Sequence, residues 1–170
     1  MTVERRHLLV VAPHPDDEVL GCGGLIARSV AAGERVTVCI LTRGSPDVFD
    51  DALIEQGRAE ARAVHAALGV GQTIFHDFPA PLLDTVARHR IADALGAIIR
   101  EQAVDTVLIP HQGDIHHEHA IVHEAALVAC RPVNGSPVRR IYAYETLSET
   151  EWAPPRGDAA FVPTVFVDIS

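Results

Sequence analysis

The sequence has no run of eighteen or more apolar residues, so no membrane-spanning helix is expected. It has no excess of positive charge either: 14 basic residues stand against 23 acidic ones, a formal charge of −9. Nucleic acids and anionic membranes both require a basic face, so neither is expected as a partner, although a local basic pocket is compatible with the total. Cysteine is scarce and unpatterned. Cys22, Cys39 and Cys130 are far apart, odd in number and form no C-x-x-C pair, which argues against a disulfide framework and for a reducing, cytoplasmic setting. No internal repeat, low-complexity segment or composition break marks a linker, so residues 1–170 are read as a single domain. Met1 to Arg6 leads straight into an apolar strand without a cleavage-site pattern, and no signal peptide is expected. With 48% hydrophobic and 22% charged residues, the composition is that of an ordinary globular protein. What the chain has in excess is histidine: ten residues, four of them between His116 and His123.

Short apolar runs alternate with longer helical stretches. Strands are expected at His7–Ala12, ended by Pro13, at Arg35–Leu41, closed by Thr42-Arg43-Gly44, at Gln72–His76 and at Val104–Pro110. Helices are expected at Val19–Ala32 with Gly33 as the stop, at Ala52–Leu68 with Gly69 as the stop, at Asp84–Gln102 and at Glu118–Ala129. Strand and helix alternating four times predict an α/β three-layer sandwich with a mostly parallel central sheet covered on both faces. After Arg131-Pro132 the rhythm weakens. Arg139–Glu145 and Val162–Ile169 are expected as further strands, with Pro163 placing the last at an edge or a strand start. An apolar strand in that position calls for a covering helix that these residues do not supply.

Two segments carry chemistry. The first, A-P-H-P-D-D-E at 12–18, lies between the first strand and the first helix. It sets His14 beside three carboxylates, Asp16, Asp17 and Glu18. Helix capping accounts for one or two acidic groups, but not for three with a histidine behind two prolines. Like charges packed this tightly repel unless a cation or proton is shared. The second segment, P-H-Q-G-D-I-H-H-E-H-A-I-V-H at 110–123, lies between the fourth strand and the fourth helix. It holds Asp114, His116, His117, Glu118, His119 and His123. His116 and His119 are three apart and share a helix face at its first turn, while His119 and His123 form a rival pair four apart. The H-E-x-x-H order of zincin proteases is absent. In a sheet of order 3-2-1-4-5, ligands bind beyond the carboxyl ends at the switch between strands one and four, and both segments follow those strands. Residues about a hundred positions apart are thereby expected to face each other across one crevice. Two imidazoles and a carboxylate make a typical catalytic zinc set; the same set serves non-haem Fe2+, so ligands alone leave iron open.

At A-P-H-P-D-D-E-V-L-G-C-G-G (12–24) and P-H-Q-G-D-I-H-H-E-H (110–119) the sequence resembles the PIG-L/LmbE-like family of zinc-dependent N-acetylglucosamine-type deacetylases, and the resemblance runs through most of the chain. It implies a Rossmann-like fold and one Zn2+ per chain. It also implies His14, Asp17 and His119 as metal ligands, Asp16 as the general base, and His116 as an assisting histidine, protonated to steady the oxyanion. The expected reaction is hydrolysis of an N-acylated sugar to free acid and amine, and the expected assembly is a homo-oligomer, a common arrangement in general. Two departures stand out. Glu118 replaces the usual aspartate of the second motif, a change expected to touch only the geometry around the ligands. Where the family often carries R-x-x-E in the second helix, this chain reads Gly57-Arg58-Ala59-Glu60, with the arginine shifted by one. A substrate contact is therefore divided between Arg58 and Arg43, each balanced against plain solvent exposure. His7, His65, His76 and His89 are read as structural or surface residues, and His111, His117 and His123 have no assigned role. Cys22 and Cys39 are expected to fill core space.

Three rival readings frame the test. A dinucleotide-binding oxidoreductase is disfavoured, because Gly21, Gly23 and Gly24 do not spell G-x-G-x-x-G and the acidic loop repels a pyrophosphate. A non-catalytic metal- or sugar-binding protein has no use for the general base that Asp16 supplies. An amidase acting on a non-acetyl sugar or a thiol conjugate keeps the mechanism and changes the substrate.

Overall fold

The computed structural model describes residues 6–170; the sequence-based reading of Met1 to Arg6 as a lead-in without a cleavage site falls almost wholly outside them. Five strands, β1 (His7–Ala12), β2 (Arg35–Gly44), β3 (Gln72–Ala80), β4 (Thr106–Pro110) and β5 (Arg140–Tyr144), alternate with four helices, α1 (Asp17–Ala31), α2 (Asp51–Leu68), α3 (Arg88–Gln102) and α4 (His117–Ala129). The strands form one sheet in the order β3-β2-β1-β4-β5. Every pairing is parallel, so the sheet is wholly rather than mostly parallel.

The central strand shows why. β1 reads H-L-L-V-V-A with every residue buried, the continuous apolar run that a strand covered on both faces requires. Its side chains alternate between two cores. Leu9 and Val11 pack with Leu41, Ile91, Leu95 and Val122 against α3 and α4, whereas Leu8 and Val10 pack with Cys22, Ile26 and Val38 against α1 and α2. The result is a Rossmann-like helix–sheet–helix sandwich. Two helices stop on a left-handed residue: Gly69 closes α2 at φ 77° and Ala103 closes α3 at φ 52°. Asp50 opens α2 by accepting a hydrogen bond from the Ala52 amide at 2.7 Å.

Several boundaries differ from the sequence-based expectation. β2 continues through Arg43 to Gly44 and β3 through to Ala80, so Arg43 ends a strand instead of occupying a loop. Asp84 belongs to a short 3-10 turn, Leu83–Thr85, and α3 begins only at Arg88. The strand expected at Val162–Ile169 does not form; these residues pair with no sheet edge. They are held instead by α1, whose Arg28 Nη1 donates to the Asp168 carbonyl at 2.9 Å. Ile169 packs over Gly24, where a β-carbon would meet its Cδ1 at 2.6 Å. All three cysteines are free and buried. No helix among the described residues is long and apolar enough to cross a membrane.

Candidate metal centre and active site

β1 and β4 are neighbours in the sheet, so the segments that follow them meet at one sheet edge. His14 leaves β1 behind Pro13, and Asp17 begins α1; His116 stands just before α4, and His119 lies in its first turn. The Asp17 carboxylate is the focus. Its Oδ2 accepts from the His14 backbone amide at 2.9 Å and lies 3.2 Å from His14 Nδ1 and 3.3 Å from His119 Nε2. Donors about 2.0–2.1 Å from a tetrahedral zinc stand roughly 3.3 Å from one another, so each carboxylate-to-imidazole spacing suits that ion. His119 Nε2 is also buried without a hydrogen-bond partner, an orphaned donor atom of the kind a metal would satisfy. A second grouping overlaps this one: His14, His116 and His119 each offer a nitrogen within 4.8 Å of the others. The tighter spacings favour Asp17 over His116 as the third donor, and His116 then stands beside the set with its ring 4.5 Å from that of His14.

Each imidazole is fixed from behind. Glu118 Oε2 lies 2.7 Å from His14 Nε2, and Asp114 Oδ2 lies 2.7 Å from His119 Nδ1. These carboxylates are anchored in turn: Glu118 Oε1 accepts from the Leu83 amide at 2.9 Å, and Asp114 Oδ1 from the Thr150 hydroxyl at 2.6 Å. Carboxylates in this position set the tautomer and orientation of a metal-ligating histidine. Behind the first loop, Glu18 accepts from the Asp16 amide at 3.1 Å and pairs with His65 Nε2 at 2.8 Å; His65 Nδ1 reaches Thr73 Oγ1 at 2.9 Å. His65 is thus a structural residue, as its sequence context indicates, and it braces the acidic loop.

The electrostatics follow from these contacts. Burial opposes a charge on His14, but the Asp17 and Glu118 carboxylates outweigh it and lift the imidazole to about 9. His119 behaves alike: burial is overcome by Asp114 and Asp17, again to about 9. Asp17, despite burial, is held below the usual carboxylate range by the His119 and His14 rings. Asp16 goes the other way, raised by partial loss of water and then by the Asp17 charge. Its side chain makes no capping hydrogen bond to α1, so its carboxylate is left for other work. His116 is lowered, first by burial and then by the charge on His14. The direction is toward a neutral ring, whereas the resemblance implied a protonated one.

A cleft of about 290 Å³ opens from His14, His116 and Glu118 toward the β2–α2 segment. Arg43 and Arg58 both line it, and both are already engaged. Arg43 Nη2 donates to Asp51 at 2.9 Å and Glu55 at 3.3 Å, while Arg58 Nη2 donates to the His76 carbonyl at 2.6 Å and Asp77 at 2.7 Å. Arg58 is buried rather than solvated. The rival pair does not assemble: His123 Nδ1 faces the Pro110 carbonyl at 2.8 Å. His111 reaches the Ala159 carbonyl at 2.9 Å, and His117 stacks on His116. The anchoring roles of Glu118 and Asp114 were not assigned from sequence; their only signal is the D-x-H-x-E-H spacing.

Comparison with known proteins agrees with this architecture. The family model described as GlcNAc-PI de-N-acetylase (PIG-L) matches residues 9–130. The uncharacterized deacetylase YaiS of Escherichia coli is 32% identical, over 98% of this chain and 83% of its own length. The 1D-myo-inositol 2-acetamido-2-deoxy-alpha-D-glucopyranoside deacetylase of Rhodococcus erythropolis is 28% identical, over 88% of this chain; the match spans 63% of that relative. Among solved structures, the zinc-inhibited form of teicoplanin deacetylase Orf2 superposes with a TM-score of 0.68 at 25% identity, covering 84% of this chain and 68% of that one.

Proposed function

Because the chain belongs to the GlcNAc-PI de-N-acetylase (PIG-L) family, we propose that it is a zinc-dependent hydrolase that removes the N-acetyl group from an N-acetylated amino sugar or sugar conjugate. The observation that carries this reading is the convergence of His14 Nδ1 and His119 Nε2 on Asp17 Oδ2, at 3.2 and 3.3 Å, with both rings braced by carboxylates. His14, Asp17 and His119 would hold the ion. A zinc bound there supplies positive charge that polarises the amide carbonyl and acidifies water. Two nitrogens and one oxygen also suit Fe2+; the hydrolytic reaction favours zinc, and the zinc-inhibited form of teicoplanin deacetylase Orf2 supports a metal site in this fold.

The remaining chemistry belongs to side chains. Asp16 takes a proton from water as its oxygen attacks the acyl carbon, and the raised proton affinity of this carboxyl suits that task. His116 starts neutral, and the N–H of a neutral imidazole is the donor that steadies the developing oxyanion. The C–N bond then breaks, the proton passes to the departing nitrogen, and the products are free carboxylic acid and amine.

Acetate release from a panel of N-acetylated sugars, measured with protein carrying about one zinc per chain, is the direct test. Asp16→Asn is expected to keep its metal and to lose on the order of 10²–10⁴-fold in turnover. An Asp16→Asn variant with full activity removes Asp16 as base. Absence of acetate release from every sugar tested turns the reading toward an amidase of another conjugate or a binding protein.

A further inference from the structure

The cleft beside the candidate metal centre is walled unlike a sugar site. On the β2–α2 side it is lined by Phe49, Leu53 and Ile54, and Pro81 also lines it. Phe49 and Leu53 are 46% and 64% exposed, so large apolar surface stands open to water at the mouth of the site. Isolated exposed apolar residues are common, but here they line one concave surface that also includes His14 and His116. A second feature lies on the same helix, one turn beyond Leu53 and Ile54. Gly57 is an interior residue of α2, where glycine is the poorest helix former after proline. A β-carbon there would meet nothing within 4 Å. No packing constraint calls for glycine at this position, and its missing side chain enlarges the cleft it lines.

The charges narrow the ligand further. The two guanidinium groups in the wall are each paired with carboxylates, Arg43 of β2 with Asp51 and Glu55 of α2, and Arg58 of α2 with Asp77 of β3. The wall therefore offers no uncompensated cation to a phosphate or nucleotide. A volume of about 290 Å³ lies at the small end of ligand pockets, which run roughly 300–1,000 Å³, enough for a compact group rather than a long chain.

From this geometry, and resting on the deacetylase reading above, we infer that the substrate carries a compact, uncharged apolar group, and that this group lies over Gly57 of α2, against the apolar surface formed by Phe49, Leu53 and Ile54. It can be attached at the anomeric oxygen or form the acyl chain itself; the chemistry of the wall is the same, and the experiment separates the two.

Zinc-loaded protein is assayed on N-acetylglucosamine, its phenyl glycoside, N-hexanoylglucosamine and N-acetylglucosamine 1-phosphate. One of the two apolar compounds is expected to exceed N-acetylglucosamine at least tenfold in kcat/KM, and which one identifies the attachment. In Gly57→Leu, whose β-carbon meets no atom within 4 Å, and in the surface change Leu53→Asn, that preference is expected to fall at least fivefold while thermal melting shows an intact fold. Saturation-transfer NMR with the phenyl glycoside supplies a readout independent of turnover, and its signal is expected to be lost in Gly57→Leu. Equal kcat/KM for all neutral compounds, a preference for the phosphate, or a preference unchanged in both variants overturns the inference. If no compound is hydrolysed, the deacetylase reading fails, and phenyl glycoside binding that is absent, or is indifferent to Gly57→Leu, sinks the inference as well.

Discussion

At the scale of single residues, the site divides into groups that would touch the metal and groups that hold those groups still. Glu118 belongs to the second kind. It is fully buried and joins the His14 ring to the Leu83 amide. Replacing such an anchor typically weakens metal binding about 10–100-fold. Glu118→Gln is expected to show that loss in a competitive zinc titration, while His119→Ala retains no stoichiometric zinc; unchanged affinity in both would place the metal elsewhere. A residue remote from the site gives a pH prediction. The His7 ring faces the Gln102 carbonyl and the Thr37 hydroxyl, both at 2.9 Å, and burial lowers its proton affinity, partly offset by the Gln102 hydrogen bond. The unfolded chain takes up this proton near pH 6.5, the folded chain only at lower pH. The neutral ring therefore contributes stability that is present above about 6.5 and lost as pH falls through the folded value. Urea unfolding at pH 7.5 and 5.5 is expected to show a smaller acid loss in His7→Gln than in the natural chain. An identical loss in both would mean that His7 does not titrate between the two states.

At the scale of elements, two helix glycines make opposite predictions. A β-carbon on Gly21 of α1 would lie 2.3 Å from Tyr144 Cδ2 and 2.7 Å from the Glu145 carbonyl oxygen. Tyr144 is pinned by its hydroxyl, which donates to the Val11 carbonyl at 2.9 Å. Overpacking costs about 1–3 kcal/mol, against about 1 kcal/mol gained in helix propensity, so Gly21→Ala is expected to melt lower. Gly57→Ala meets no obstacle and is expected to melt about 2–4 °C higher, the shift that ~1 kcal/mol produces in a domain of this size. Calorimetry of the pair checks the sign of each. The same elements show what the sequence makes legible. Strand order and both site loops could be read because β1 is apolar from Leu8 to Ala12 and H-P-D-D-E is contiguous. Val162–Ile169 was misread because apolar periodicity describes a face and does not name its partner; the partner is α1, not a sheet edge. The anchoring by Asp114 and Glu118 was hidden for a related reason, since it depends on where the turn before α4 aims each carboxylate. Burial of Arg58 comes from its reach across to β3, to the His76 carbonyl and Asp77, a tertiary contact that helix periodicity does not specify.

At the scale of the whole molecule, the site is a junction between two halves of the sheet. His14 and Asp17 belong to the β1–α1 unit and His119 to the β4–α4 unit, so a metal held by all three would act as a cross-link between segments a hundred residues apart. The two cores on either face of the sheet do not depend on it: they are built from strand interiors and from helix faces away from the loops. Removing metal is therefore expected to leave the protein folded but less stable. A ligand that binds only the native state, at a free concentration a hundredfold above its Kd, adds ~2.7 kcal/mol. For a domain of this size that corresponds to a rise of about 5–10 °C in Tm. Chelated protein should keep its α/β circular dichroism and regain this increment on adding zinc at that ratio. His119→Ala should start near the chelated value and gain little. Unfolding on chelation would make the metal part of the fold itself; a Tm indifferent to zinc in the natural chain would mean that the three side chains do not grip one ion together.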